Sequence, residues 1–249
     1  MKELLGKGFD DLSPVYRRRL HNTQLVAHVI DPQTPYGVKF EIFKRINTGG
    51  TPLSAQEIRH CMSRERSRDF LKELAMDKLF IQATGGALEK HPRLADREVV
   101  LRFIAFCRYT VEDYAKFRSV DEFLGTVTQY IDHEAKDSDL RALKERFQKG
   151  MRLAYSVFGA HCFRKWPLDS DRRAPINRAL VETFGPMLSE QDPQKVDACK
   201  AQLVEGARKL MTPAHDPDFV AAIAGSTGSI GRVRTRFAKV EQLIREVLS

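Results

Sequence analysis

Side chains able to do chemistry gather at one place in this chain, residues 43 to 59, which read Phe-Lys-Arg-Ile-Asn-Thr-Gly-Gly-Thr-Pro-Leu-Ser-Ala-Gln-Glu-Ile-Arg. Asn47 offers an amide that both donates and accepts, and so can orient a ligand. Gly49 and Gly50 can take the left-handed conformation that ends a helix. Ser54 and Glu57 stand three apart, the spacing at which an N-cap and the third helical residue exchange hydrogen bonds. Free N–H groups at the start of that helix, helped by its dipole, can receive a phosphate or carboxylate. Phe40, Phe43 and Ile46 recur every three residues, which predicts a helix with an inward-packed apolar edge. Leu53 before the cap pairs with Ile58 as a hydrophobic staple. Two uses stay open on spacing alone: a ligand cradle, or a tight, well-capped corner between two helices.

No other grouping carries chemistry. The seven histidines form no cluster, and His133-Glu134 and His161-Cys162 lack companions at metal or nucleophile spacing. Cys61, Cys107, Cys162 and Cys199 lie tens of residues apart with no C-x-x-C, so they read as structural thiols in a reducing cytosol. Arginines cluster at Arg17-Arg18-Arg19, at Arg64, Arg66 and Arg68, at Arg172-Arg173, and at Arg232, Arg234 and Arg236. The last set alternates, spreading over about 200 degrees of a helix surface, and reads as a solvated face. Trp166 is expected as a core plug rather than a stacking platform.

The elements that must position these residues are mostly helices. Asp139 to Gly159 carries Leu140, Leu143, Phe147, Met151 and Ala154 at three- and four-residue steps, with Gly159 as a stop. Asp192-Pro193 opens a helix bearing Val196, Cys199, Leu203, Ala207 and Leu210. Ile230 to Val247 repeats the pattern, and Asp96 to Thr110 is apolar nearly all round, as for a central buried helix. Only Gln24 to Ile30 reads as a strand, ended by Asp31-Pro32. A lone strand cannot satisfy its own backbone, so it calls for sheet partners elsewhere. The character changes from mixed to purely helical between residues 76 and 93.

Bulk properties bound the function. With 249 residues, 42% hydrophobic and 30% charged, the chain reads as globular. No stretch approaches the roughly 18 apolar residues of a membrane span, and the charged first residues exclude a signal peptide; a cytoplasmic protein is expected. The net charge of +8 favours polyanions such as DNA through phosphate contacts.

The run Phe43-x-x-x-Asn47-x-x-Gly50-x-x-Leu53, followed by Glu57-Ile58-Arg59, resembles the second motif of the GmrSD-type restriction endonuclease N-terminal family, related to the ParB/sulfiredoxin-like fold. Leu101-Arg102-Phe103, Phe158-Gly159 and Phe163-Arg164 look like its helical continuation. The resemblance implies a nucleotide-dependent role in bacterial defence against foreign DNA, with a nucleoside triphosphate and a divalent ion in the complete domain. It places nucleotide or phosphate contacts at Asn47, Gly49, Gly50 and Arg59, with the nearby Arg17 and Arg18 as further phosphate contacts; Phe43, Leu53, Ser54 and Glu57 would build the motif. The family's first motif, Asp-Gly-Gln-Gln-Arg, does not occur in these residues, nor does the histidine–asparagine nuclease motif of the partner half.

The expected fold is therefore mainly α. Residues 1–80 would be the C-terminal part of a ParB/sulfiredoxin-like α/β domain, keeping one or two strands, and 81–249 a helical extension. The expected function is that of a truncated or split restriction-type protein, inactive alone, with no metal site of its own. It would be completed by a polypeptide supplying the missing half or a nuclease. The alternatives are a basic DNA-binding module and a helical interaction module without catalysis.

Overall fold

The computed structural model describes residues 4–27, 29–31, 33–47 and 51–249. The chain divides into two compact units, Met1–Pro35 and Tyr36–Ser249. This division does not coincide with the expected one after residue 80, because residues 36–80 pack in the same unit as the rest.

In the first unit a short 3-10 helix, Phe9–Asp11, precedes α1, Pro14–His21. Pro14 starts α1, and Arg18, Arg19 and His21 lie in its last turn, where the helix dipole favours cations. The expected strand is corrected here. The described residues between Gln24 and Ile30 form no ladder, and Leu25, Val26 and Val29 are 91%, 81% and 91% exposed. Branched apolar residues favour an extended backbone, but a strand also needs a partner to share its hydrogen bonds. Among the described residues the chain's β pairing is a single antiparallel bridge between Arg164 and Ile176, in the second unit.

The second unit is helical. Its elements are α2 (Tyr36–Ile46), α3 (Ala55–Met62), α4 (Glu65–Ala75), α5 (Lys78–Thr84), α6 (Ala95–Arg108), α7 (Val111–Tyr114) and α8 (Val120–His133), then α9 (Asp137–Phe158), α10 (Arg178–Glu190), α11 (Pro193–Ala198), α12 (Lys200–Leu210), α13 (Pro217–Ala222) and α14 (Ile230–Leu248). As its composition predicts, α6 is central: Val99, Val100, Leu101, Phe103 and Ile104 are buried, and it packs on α4, α8, α9 and α10. Phe103 meets Phe147 of α9 edge to face at 4.9 Å. Beside that ring α9 and α10 run so close that a Cβ on Gly150 would lie 2.6 Å from the Gly185 carbonyl oxygen; only glycine fits there.

Asp192 caps α11 as expected, accepting from the Gln194 and Lys195 amides at 2.7 and 3.1 Å. The predicted single helix from Asp192 to Leu210 breaks at Cys199, whose φ and ψ of −108° and 17° separate α11 from α12.

A buried ionic cluster ties α6, α10 and α14 together. Glu182 accepts from Arg102 at 2.9 Å and from Arg236; Glu98 accepts from Arg102 at 2.9 Å and Arg178 at 3.1 Å. Burial disfavours the Arg102 charge, but Glu182 and Glu98 more than offset it, leaving its pKa raised. Arg236 is 1% exposed, which corrects the expectation of a solvated face for that residue, while Arg234 is exposed and Arg232 half-buried.

Candidate functional site

The corner between α2 and α3 forms as the sequence predicts at its second half. The Ser54 hydroxyl accepts from the Glu57 amide at 3.2 Å, and the Glu57 carboxylate accepts from the Ser54 amide at 2.6 Å. Sequence reasoning missed the third member, Arg93. From the loop before α6 it donates to Glu57 at 3.0 and 3.2 Å and to the Pro52 carbonyl at 2.5 Å. The Ser54 amide, aided by Arg93, holds the Glu57 carboxyl below the usual carboxylate range. A residue 36 positions away leaves no local signal. At the first half, the Asn47 backbone N–H donates to the Phe43 carbonyl at 3.2 Å, continuing the helix by one bond, and Asn47 is half-buried. Gly49 and Gly50 lie outside the described residues.

Two expectations at this corner are corrected. Phe40 is buried, but Phe43 and Ile46 are 39% and 67% exposed, so the three do not form one inward edge. At helical spacing, steps of three rotate steadily around the axis, and Phe40 alone reaches the core. Val38 and Leu53 are also exposed, leaving an apolar surface on α2 and at the start of α3. Arg59 is the second correction. It is 1% exposed and donates to Asp121 of α8 at 3.1 Å and to Gln56 at 3.2 Å. It ties α3 to α8 rather than facing a phosphate, and burial, partly offset by Asp121, lowers its pKa.

Arg17 and Arg18 belong to the first unit. The Arg17 Nε donates to the Leu12 carbonyl at 2.9 Å, and Arg18 is exposed. The structure places Phe43 and Asn47 at the end of α2 and Leu53, Ser54 and Glu57 at the start of α3, turns Arg59 inward, and describes Arg17 and Arg18 in the other unit.

Elsewhere the expected structural roles dominate. The four cysteines are free; burial pushes the Cys107 thiol up to about 12 and raises that of Cys162, so neither is a thiolate at neutral pH. Trp166 stacks on His161 at 4.1 Å, lies 4.5 Å from the Arg208 guanidinium, and donates from Nε1 to Asp171 at 2.9 Å. Trp166 is half-buried and lies outside the core, so the expected core plug is corrected: its ring is a partly exposed surface stacked against His161 and Arg208. No group of His, Cys, Asp and Glu suited to a metal ion occurs among the described residues, and no described helix is long and apolar enough to cross a membrane. A cleft of about 600 Å³ between α6, α10 and α14 is lined by Cys107, Tyr109, Glu190, Glu241 and Arg245 among others, and its one thiol is the Cys107 whose pKa burial raises.

The electrostatically distinct place is a second, open cleft of about 740 Å³ between the end of α5 and the loop before α10. Lys165, Arg172 and Arg173 line it together with Arg164. The sequence showed Arg172-Arg173 as a pair but not that Arg164 and Lys165 fold beside it.

No family model, curated protein or solved structure matches this chain.

Proposed function

We propose that the chain contributes one wall of a nucleotide site in a restriction-type defence protein of the GmrSD kind. Residues carrying the Asp-Gly-Gln-Gln-Arg motif, outside these 249, supply the other wall. The observation that supports this reading is the state of the corner. Ser54, Glu57 and Arg93 fix the backbone at Pro52 and Ser54, while Phe43, Ile46 and Leu53 on either side of the corner remain exposed, as does Val38 earlier on α2. A corner that served only to join two helices would gain by burying those side chains, since each covered apolar group contributes roughly 25 cal/mol per Å². A half-pocket leaves them for its other wall to cover.

The chain alone is expected to show no turnover of ATP or GTP with Mg²⁺. Co-expression with a polypeptide carrying the upstream motif is expected to restore turnover, and Asn47→Ala to abolish it. Turnover by the chain alone, lost in Asn47→Ala, would show that no second wall is needed. Restored turnover that Asn47→Ala leaves intact would remove Asn47 from the site.

A second reading, DNA binding without catalysis, is favoured by the four-cation cleft beside α5. It predicts affinity for duplex DNA that falls steeply as salt rises, in the absence of any nucleotide effect.

A further inference from the structure

The cleft beside α5 has a construction that a solvated arginine patch lacks. Gly85 ends α5 at φ +62°, and both guanidinium groups converge on it. A Cβ there would lie 2.0 Å from the Arg173 Nη2 and 3.7 Å from the Arg164 Nη2. Glycine suits the left-handed backbone here, and the Arg173 guanidinium occupies the space a Cβ would take. Arg164 is 6% exposed. Its Nη1 donates to the Ala174 carbonyl at 2.6 Å and its Nη2 to the Thr84 carbonyl at 2.7 Å. Its Nε has no partner among the described residues. Arg173 donates from Nε to the Ala160 carbonyl at 3.1 Å.

None of Arg164, Lys165, Arg172 and Arg173 has a carboxylate partner among the described residues. Among the described residues, no acidic one lines the cleft. Asp171, on the same loop, is taken by Arg208 and by the Trp166 Nε1, both at 2.9 Å. Buried charges in proteins are normally paired, and the other buried arginines of this chain are: Arg59 with Asp121, Arg102 and Arg236 with Glu182. Here burial, and then the neighbouring Arg173, both disfavour the Arg164 charge. Carbonyl oxygens orient these guanidiniums without neutralising them, which is the arrangement of a preformed receptor for an external anion.

We infer that Arg164, Arg172, Arg173 and Lys165 form a phosphate-binding site, built on Gly85 and separate from the Asn47 corner. Guanidinium forks match phosphate oxygens in pairs, and charge-assisted bonds of this type are about twice as strong as neutral ones. The open side of the cleft admits either a phosphate of a nucleic-acid strand or the phosphates of a free nucleotide. The inference stands on this geometry alone and does not require the family reading.

The test uses the full chain at low salt, with a labelled 20-nucleotide DNA in polarisation titrations and pyrophosphate in calorimetry. Arg172→Ala/Arg173→Ala is expected to weaken binding at least tenfold and to lower the slope of log affinity against log salt by about 1 to 2. Arg173→Lys, which keeps the charge and loses the fork, is expected to recover part of the affinity. Arg232→Ala/Arg234→Ala, on α14, is expected to leave it unchanged. DNA binding at least tenfold tighter than pyrophosphate assigns the site to a strand; pyrophosphate binding without DNA binding assigns it to free nucleotides. If circular dichroism shows the double variant misfolded, Lys165→Ala/Arg172→Ala carries the same comparison. Failure of the wild-type chain to bind either probe, or equal loss in the α14 variant, overturns the inference.

Discussion

Replacing Glu182 by glutamine keeps the side chain's shape and removes the negative charge held between two buried arginines. Glu182 and Arg236 are each 1% exposed, and Arg102 is 8% exposed. Arg102 retains Glu98 at 2.9 Å, but Arg236 has no other carboxylate partner among the described residues; its remaining acceptor is the Thr227 carbonyl at 2.7 Å. Breaking a buried pair from one side costs about 3–5 kcal/mol because a charge is left uncompensated. Since only one of the two arginines is stranded, the lower end applies, about 3 kcal/mol. With a urea m-value of about 3 kcal/mol per M, the unfolding midpoint should fall by about 1 M at pH 7. Glu205→Gln is the control: its partner Lys209 is 51% exposed, and such a solvated pair contributes little to stability. Replacing Arg102, Glu182 and Arg236 together by apolar residues should recover much of the loss, since no buried charge then stays unpaired. A Glu182→Gln midpoint within error of wild type would refute the claim that this cluster ties the three helices together.

Three further outcomes are expected. Ser54→Ala removes the hydroxyl that accepts from the Glu57 amide and should cost about 1 kcal/mol in chemical denaturation. Burial pushes the Tyr36 phenol up to about 12, above the unfolded value of about 10. The folded chain therefore holds that proton more tightly; the stabilisation is complete below pH 10 and is lost as pH rises through 12. Tyr36→Phe should flatten that alkaline loss, and an unchanged pH curve would contradict it. Burial, reinforced by Arg97 and Arg68, lowers the pKa of His60; burial also lowers that of His161, opposed by Asp171 and aided by Arg208, Arg173 and Arg164. Both folded pKa values lie below the unfolded one of about 6.5, so this stability is present above pH 6.5 and declines as pH falls through it. A His60→Gln/His161→Gln variant should show a shallower acid decline.

What the sequence makes legible here follows the range of the interaction. The Ser54–Glu57 capping box, the Asp192-Pro193 helix start and the apolar α6 depend on residues within a turn or two, and their spacing reveals them. Arg59 and Arg236 do not: their carboxylates lie 62 and 54 positions away, and a charged residue in a helical pattern reads as solvated until its partner is known. The Gly85 cleft is hidden for the same reason, since Arg164 and the end of α5 are 80 positions apart. The apolar run at Gln24 to Ile30 shows the opposite limit: composition can favour an extended chain without specifying anything to pair with it. On α2, periodicity identified a stripe, but whether Phe43 and Ile46 are covered depends on what lies against them.

Equilibrium binding decides whether the Asn47 corner is one wall of a nucleotide site. A fluorescent ATP or GTP analogue would be titrated with Mg²⁺ into the chain reconstituted with a polypeptide carrying the upstream motif, in wild-type and Asn47→Ala forms. Affinity at least tenfold weaker in the variant, with the same thermal unfolding curve, is the predicted result. Equal affinity in the two forms would contradict the account.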